Sequence, residues 1–281
     1  MNIPDFKNKV VVITGGAGVL CSTLAKAIAK TGAKVAILDL NLDAAENVAS
    51  EIKKDGFEAS AFKCNVLDKA SIEECHNNVL NKYGKCDILI NGAGGNNKKA
   101  QTTDEFFNLD HMNLDDNQDF FDLELDGFNF VFGLNFTGTL LPTQVFVKDM
   151  VDRSGCNILN ISSMNSFTPL TKIPAYSAAK AAISNFTKWL AVHFSKVGIR
   201  VNAIAPGFFS TIQNKSLLWN EDGTPTKRTE KILNNTPMGR FGEADEIVGA
   251  TYFLLDNEAA SFITGVVLPI DGGFSSYSGV Y

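Results

Sequence analysis

Tyr176 and Lys180 stand four residues apart in "PAYSAAKAAISNF", and Ser163 closes an apolar run, "CNILNISS", thirteen positions before the tyrosine. On a helix, positions i and i+4 share a face, so phenol and ammonium would meet the same neighbours. Free tyrosine ionises near ~10, too high for proton exchange at neutrality. An adjacent ammonium favours the phenolate, and a drop of about two or three units would make Tyr176 a general acid and base. The Ser163 hydroxyl could then hold a carbonyl oxygen against the phenol. Tyrosine and lysine at this spacing are common on ordinary helices. The pair therefore needs support from elsewhere in the chain.

That support comes from the other end. Gly15, Gly16 and Gly18 lie in "VVITGGAGVL", between an apolar run and a helical pattern. Backbone amides at such a turn, with the helix N-terminal dipole, suit a pyrophosphate. Asp39 ends the next apolar run, where a carboxylate can accept hydrogen bonds from an adenosine ribose and would repel a 2′-phosphate. No arginine follows it, so NAD(H) is expected over NADP(H).

Strand-length apolar runs alternate with helical periods through the whole chain. The runs are 9–16, 33–40, "ASAFKCNV", "CDILINGAG", "CNILNISS", "IRVNAIAPG" and "ITGVVLPIDGG". Helical patterns lie at 20–31, 42–55, 127–152, 175–197 and 243–256, with Ser71 and Glu74 spaced as a capping box for one more. This order predicts an α/β fold, one doubly wound parallel sheet of about seven strands with helices on both faces, ligands binding at the carboxyl ends of the strands. Two long segments break the rhythm, 96–126 and 208–240. The first is rich in acids and reads as a solvated flap.

The 281 residues are 45% hydrophobic and carry a net charge of −6, which argues against a nucleic-acid surface. No uninterrupted apolar stretch reaches the ~18–20 residues of a membrane span. Five cysteines without CxxC spacing fit a reduced, cytoplasmic protein with no zinc site.

Taken together, "TGGAGVLC", "NGAG", "SSMNSF…YSAAK", "APGFFST" and "ITGVVLPIDGG" resemble the short-chain dehydrogenase/reductases over essentially the whole chain. The resemblance implies that Ser163 positions a substrate carbonyl, Tyr176 exchanges the proton, and Lys180 lowers the tyrosine pKa and holds the nicotinamide ribose. Asn135 matches the asparagine that supports a water in the proton relay. It further implies a cofactor site of Thr14, Gly15, Gly18, Leu20, Asp39, Asn65, Val66, Asn91, Ala93, Tyr176, Lys180, Pro206, Gly207 and Thr211. There are departures: Val19 and Cys21 stand where the family turn has glycines, Asn65 replaces an aspartate, and 96–126 is longer than usual.

Within that family, "LNFTGTLLPTQVF", "NTPMGRFGE" and "DGGFSSYSGVY" are similar to the D-mannonate oxidoreductase (fructuronate reductase) branch. That similarity implies a sugar-acid substrate in hexuronate catabolism and, as is common in the family, a homotetramer. Alternatives are another keto-sugar or polyol, a 3-oxoacyl thioester, or a catalytically silent nucleotide-binding regulator. A sugar acid needs polar partners beyond the reacting carbonyl. Asn96, Asn165, Arg228 and Lys231 are the candidates, with Asn97 and Lys98 beside the first.

Overall fold

The computed structural model describes residues 3–112, 114–210 and 218–279. Seven strands form one sheet: β1 (Val10–Thr14), β2 (Lys34–Asp39), β3 (Ala59–Lys63), β4 (Ile88–Asn91), β5 (Asn157–Ile161), β6 (Arg200–Pro206) and β7 (Val267–Ile270). Every pairing is parallel, in the order β3-β2-β1-β4-β5-β6-β7. The order reverses between β1 and β4, and at such a point the chain leaves on opposite faces and opens a crevice.

Side chains alternate across the sheet, and each face has its own helices. Val11 and Ile13 of β1 pack with Leu24 and Ile28 of α1 (Val19–Ala29) and with Val48 and Ile52 of α2 (Leu42–Lys54). Val10 and Val12 face the other way. They join Ile72 and Val79 of α3 (Lys69–Tyr83), and also Phe146 of α5 (Gly138–Phe146) and Leu190 of α6 (Pro174–His193). Among the described residues there are three more α-helices: α4 (Leu125–Phe132), α7 (Lys227–Asn234) and α8 (Glu246–Leu255).

Three local expectations change. Helix α3 begins earlier than a Ser71 cap would have it, because Asp68 accepts from the Ala70 N–H. Ser71 instead turns its hydroxyl to the Asn65 N–H, 3.0 Å away, and ties the end of β3 to the helix. The pattern at 127–152 divides into α4, a π turn over Gly133–Thr137, α5 and a short 3₁₀ turn. Taken as one helical run, Leu125–Asp149 does reach the length and apolarity of a membrane span, yet half of its most apolar window is buried inside the fold. The acidic 96–126 segment is solvated over most of its described length, as expected, but it is tethered to the rest of the fold. Lys99 pairs with Glu124 at 2.7 Å, the Lys172 ammonium meets the Thr103 carbonyl, and Glu105 pairs with Lys231 of α7.

Candidate active site

A cleft of about 460 Å³ opens over the carboxyl ends of β1 and β4. Gly15 and Gly18 form one wall and Asp39 the far corner, while Ser163, Tyr176 and Lys180 stand on the opposite side. Residues that are distant in sequence meet here because parallel strands bring all their carboxyl ends to one edge.

The glycine turn fits its neighbours with no space to spare. Gly15 has φ +60°, and a Cβ there would stand 2.7 Å from the Ala93 Cα. Gly16 donates to the Leu38 carbonyl at 3.1 Å. Asp39 completes the turn, accepting from the Ala17 N–H at 3.1 Å and the Asn41 N–H at 3.0 Å. Cys21, where the family has glycine, presses its sulfur against Gly92, where an added Cβ would lie 2.2 Å from Sγ. The small residue needed for close helix–strand packing has thus moved to the strand side. Burial pushes the Cys21 thiol up to about 12, so it stays neutral, with the Lys180 charge opposing.

At the other end, Tyr176 and Lys180 project from the first turns of α6, whose proline at N1 fixes where the helix starts. The Lys180 Nζ donates to the Ile161 carbonyl at 2.9 Å and lies 5.5 Å from the centre of the Tyr176 ring. Ser163 caps a short 3₁₀ turn (Met164–Ser166), its Oγ accepting from the Asn165 N–H at 3.3 Å. The expected depression of the tyrosine pKa is not what the protein alone displays. Burial raises Tyr176 above its ordinary value, with the Ser163 hydroxyl pulling the other way. Burial also brings Lys180 down to about 8, which weakens its own hold on a charge. Desolvation outweighs the neighbour because both groups are buried together.

Asn135 sits in the π turn with its Nδ2 donating to the Gly95 carbonyl (2.7 Å) and the Val131 carbonyl (2.8 Å). Its Oδ1 is buried with no protein partner. A Cβ on Gly94 would lie 2.7 Å from that oxygen and 3.3 Å from the Lys180 Nζ, so both polar atoms face the same glycine.

Most of the residues expected at the cofactor lie on the cleft: Gly15, Gly18, Leu20, Asp39, Asn65, Val66, Ala93, Pro206 and Gly207. Two do not. Thr14 is fully buried and accepts from the Gly92 and Ala93 N–H groups, so it fixes the loop after β4 rather than facing the cleft. Asn91 belongs to a polar chain beneath the cleft, donating to Thr143 on α5 and to Asn160, which in turn donates to Thr187 on α6. Thr211 lies outside the described residues.

The substrate candidates fare less well. Asn96 is exposed and bonded to the Asn97 N–H, Arg228 is exposed on α7, and the Lys231 charge is taken by Glu105. Asn165 is 5% exposed with an unpartnered Oδ1, but it is not on the cleft wall. Sequence reasoning also missed Cys64, Leu40 and Leu134, which do line the cleft. Only the position of Cys64, directly before Asn65 at the end of β3, could have signalled one of them.

The family model for the short chain dehydrogenases matches residues 9–222, about three quarters of the molecule. The chain belongs to that family. Its relatives include an "uncharacterized oxidoreductase" of Haemophilus influenzae, 60% identical over 98% of this chain and 96% of that one. An "uncharacterized oxidoreductase UxuB" of Bacillus subtilis is 48% identical over 98% of both chains. A crystal structure of a candidate D-mannonate oxidoreductase from Haemophilus influenza with bound NAD superposes with a TM-score of 0.94, at 59% identity, covering 99% of this chain and 98% of that one. This dehydrogenase fold accounts for the sheet order, and oxidoreductase chemistry between an alcohol and a ketone accounts for the serine, tyrosine and lysine.

Proposed function

We propose that this short-chain dehydrogenase uses NAD(H) to interconvert a keto sugar acid and its alcohol, D-fructuronate and D-mannonate being the leading pair. The observation that carries this is one cleft holding a serine–tyrosine–lysine group, its serine and lysine buried and its tyrosine partly so, at one end and a strand-end carboxylate at the other. The glycine cradle fits a dinucleotide, since Cβ atoms at Gly15 and Gly92 would collide with backbone or sulfur. Gly15 and Gly18 would hold the pyrophosphate, Asp39 the adenosine ribose, and Lys180 the nicotinamide ribose. A nicotinamide bound there supplies or accepts the hydride.

The protein's own share is proton handling and orientation. Ser163 donates a hydrogen bond to the substrate carbonyl oxygen and holds it beside Tyr176. The Tyr176 hydroxyl gives that oxygen its proton during reduction and takes it back during oxidation. Positive charge at Lys180 stabilises the phenolate left behind, so a ligand that keeps the lysine charged also lowers the barrier for the tyrosine. A water between the Asn135 Oδ1 and the Lys180 ammonium returns the proton to solvent.

The sugar-acid assignment draws on the 59%-identical candidate mannonate oxidoreductase. The acidic segment that meets α7 counts against an acyl carrier, itself an acidic partner. The decisive experiment is a steady-state screen of purified protein against keto sugar acids, other keto-sugars and 3-oxoacyl thioesters, with NADH and with NADPH. Highest efficiency for a keto sugar acid with NADH is expected. Highest efficiency for a 3-oxoacyl thioester would overturn the substrate.

A homotetramer is proposed as well. Phe186, Trp189 and His193 stack along α6 with centroids 6.1 and 4.6 Å apart, and Trp189 remains 55% exposed. Such an uncharged aromatic face suits a second copy of the chain.

A further inference from the structure

Charge is segregated along this chain. Between Lys99 and Lys148 there is no lysine or arginine, and between Asp152 and Glu221 there is no aspartate or glutamate. The first stretch holds the acidic segment and α4, and the second holds α6. The two helices lie on one face of the sheet, where Val131 of α4 packs with Ala175 and Ala179 of α6. Each leads from one parallel strand to the next, so both run in the same direction. One end of this layer is therefore acidic and the other basic. Asp116 and Asp126 are exposed at the start of α4, and Lys188 and Lys196 toward and just past the end of α6.

An apolar stripe joins the two ends. At the acidic end Phe121 and Leu125 are 70% and 73% exposed. Phe121 meets Phe107 and Phe120 edge-on, with centroids 5.9 and 5.6 Å apart. Leu125, Phe132 and Phe136 then recur at helical spacing along α4 and the π turn. Phe136 meets Phe186 edge-on at 5.4 Å, and Phe186 stacks on Trp189 at 6.1 Å. Trp189 and Val192, both exposed, close the stripe at the basic end. Ala181 and Ala182 share an open groove with Phe136, Phe186 and Trp189. The alanines stand about two helical turns before the tryptophan, and their small side chains leave room for an aromatic ring. An apolar surface of this extent marks a contact with another protein.

We propose that this stripe docks a second copy of the chain, antiparallel across a two-fold axis, the acidic aromatic end of each copy lying on the basic end of the other. The charge pattern selects that arrangement. Reversing one copy sets acid against base twice over, whereas a parallel pairing sets acid on acid and base on base. The same reversal lays the Trp189 ring of each copy toward the alanines of the other. A foreign partner would need both charge patterns in reverse order, and a second copy has them by construction. Burial of the rings supplies the affinity, and the charges fix the orientation.

This contact gives the long connection after β4 a use. Held to the fold through Lys99, Lys172 and Lys231, it presents Phe120 and Phe121 as a fixed edge. The inference rests on the assembly proposed above only in taking a second copy as the occupant. It is independent of the substrate and of the cofactor.

The test reverses charge at one end at a time in the full chain. Asp116→Lys with Asp126→Lys makes the acidic end basic, and Lys188→Glu with Lys196→Glu makes the basic end acidic. All four side chains are exposed, so both variants should fold, with circular dichroism as the check. Sedimentation velocity and native mass spectrometry read the assembly at low and high salt. Each variant alone should give smaller species than wild type, dissociating at least about tenfold more readily, and the difference should shrink at high salt. An equimolar mixture should recover one-to-one pairs, because in the mixed pair both contacts again set acid against base. Phe121→Ser should also weaken association, and it reads the same surface should a charge variant misfold. Undiminished association in either charge variant or in Phe121→Ser, or a mixture as weak as its components, would overturn the proposal. If Trp189→Glu breaks the wild-type assembly while both charge variants keep it, the assembly stands and this orientation fails. A monomeric wild type would remove both.

Discussion

Lys180 places its ammonium 2.9 Å from the Ile161 carbonyl oxygen and 5.5 Å from the centre of the Tyr176 ring. The strand end thus anchors the charge, and the helix turn sets its distance from the phenol. Neither residue is poised in isolation, since burial raises the tyrosine and brings the lysine to about 8.

Tyr176→Phe keeps the ring and removes only the ionisable hydroxyl. Turnover should fall by roughly 10²- to 10⁴-fold, the usual worth of a positioned acid–base group. NADH affinity, measured by fluorescence titration, should stay within a factor of about two, because the ring and the other residues lining the cleft are retained. Near-normal turnover would remove Tyr176 from the reaction.

The Lys180 shift has a stability consequence of definite sign. Its native pKa of about 8 lies below its ordinary value of 10.5, so between the two the unfolded chain holds a proton that the native chain has released. Stability from this group therefore rises with pH across that window, and the burial penalty is fully present below it. Relative to Lys180→Met, the wild type should gain on the order of 3 kcal/mol on going from below to above the window, read from urea unfolding at several pH values. A difference between the two proteins that does not vary with pH would contradict this.

Asp39 holds the glycine turn as well as the corner proposed for the ribose. Wild-type protein should use NADH more efficiently than NADPH. Asp39→Ala should lose about ten- to a hundredfold in efficiency with NADH, the worth of a charged hydrogen bond, and narrow the gap to NADPH. A wild type that prefers NADPH would refute the role given to this carboxylate.

Cys21 and Gly92 should couple in a double-mutant cycle. An alanine at Gly92 would place its Cβ 2.2 Å from the Cys21 sulfur and 2.9 Å from the Thr14 carbonyl oxygen. Gly92→Ala should cost about 1–3 kcal/mol in denaturant unfolding. Adding Cys21→Ala should recover part of that loss, the clash with Thr14 remaining. Strict additivity of the two changes would show that the sulfur is not the obstacle.

The exposed aromatic face of α6 should be covered in solution. Light scattering at micromolar concentration should give a tetramer, and Trp189→Glu should shift it toward smaller species. A monomeric wild type would exclude the assembly.

Much of this protein is fixed by short-range signals. Alternating apolar runs determined the strands, the parallel sheet and the edge where a ligand must lie, because a buried parallel strand and a one-sided helix each leave a local period. The Tyr176–Lys180 spacing, Ser163 at a strand end and the glycines before α1 were legible for the same reason. Tertiary structure decided where each polar side chain turns. Thr14 and Asn91 sit at strand ends like Asp39, yet both spend their hydrogen bonds on neighbouring strands and helices, while Asp39 stays at the cleft. Lys231 finds Glu105 across 126 positions. Such pairings depend on register, packing and shared burial. No local stretch of sequence carries those, and the opposing pKa shifts of Tyr176 and Lys180 arise only when the two are buried together.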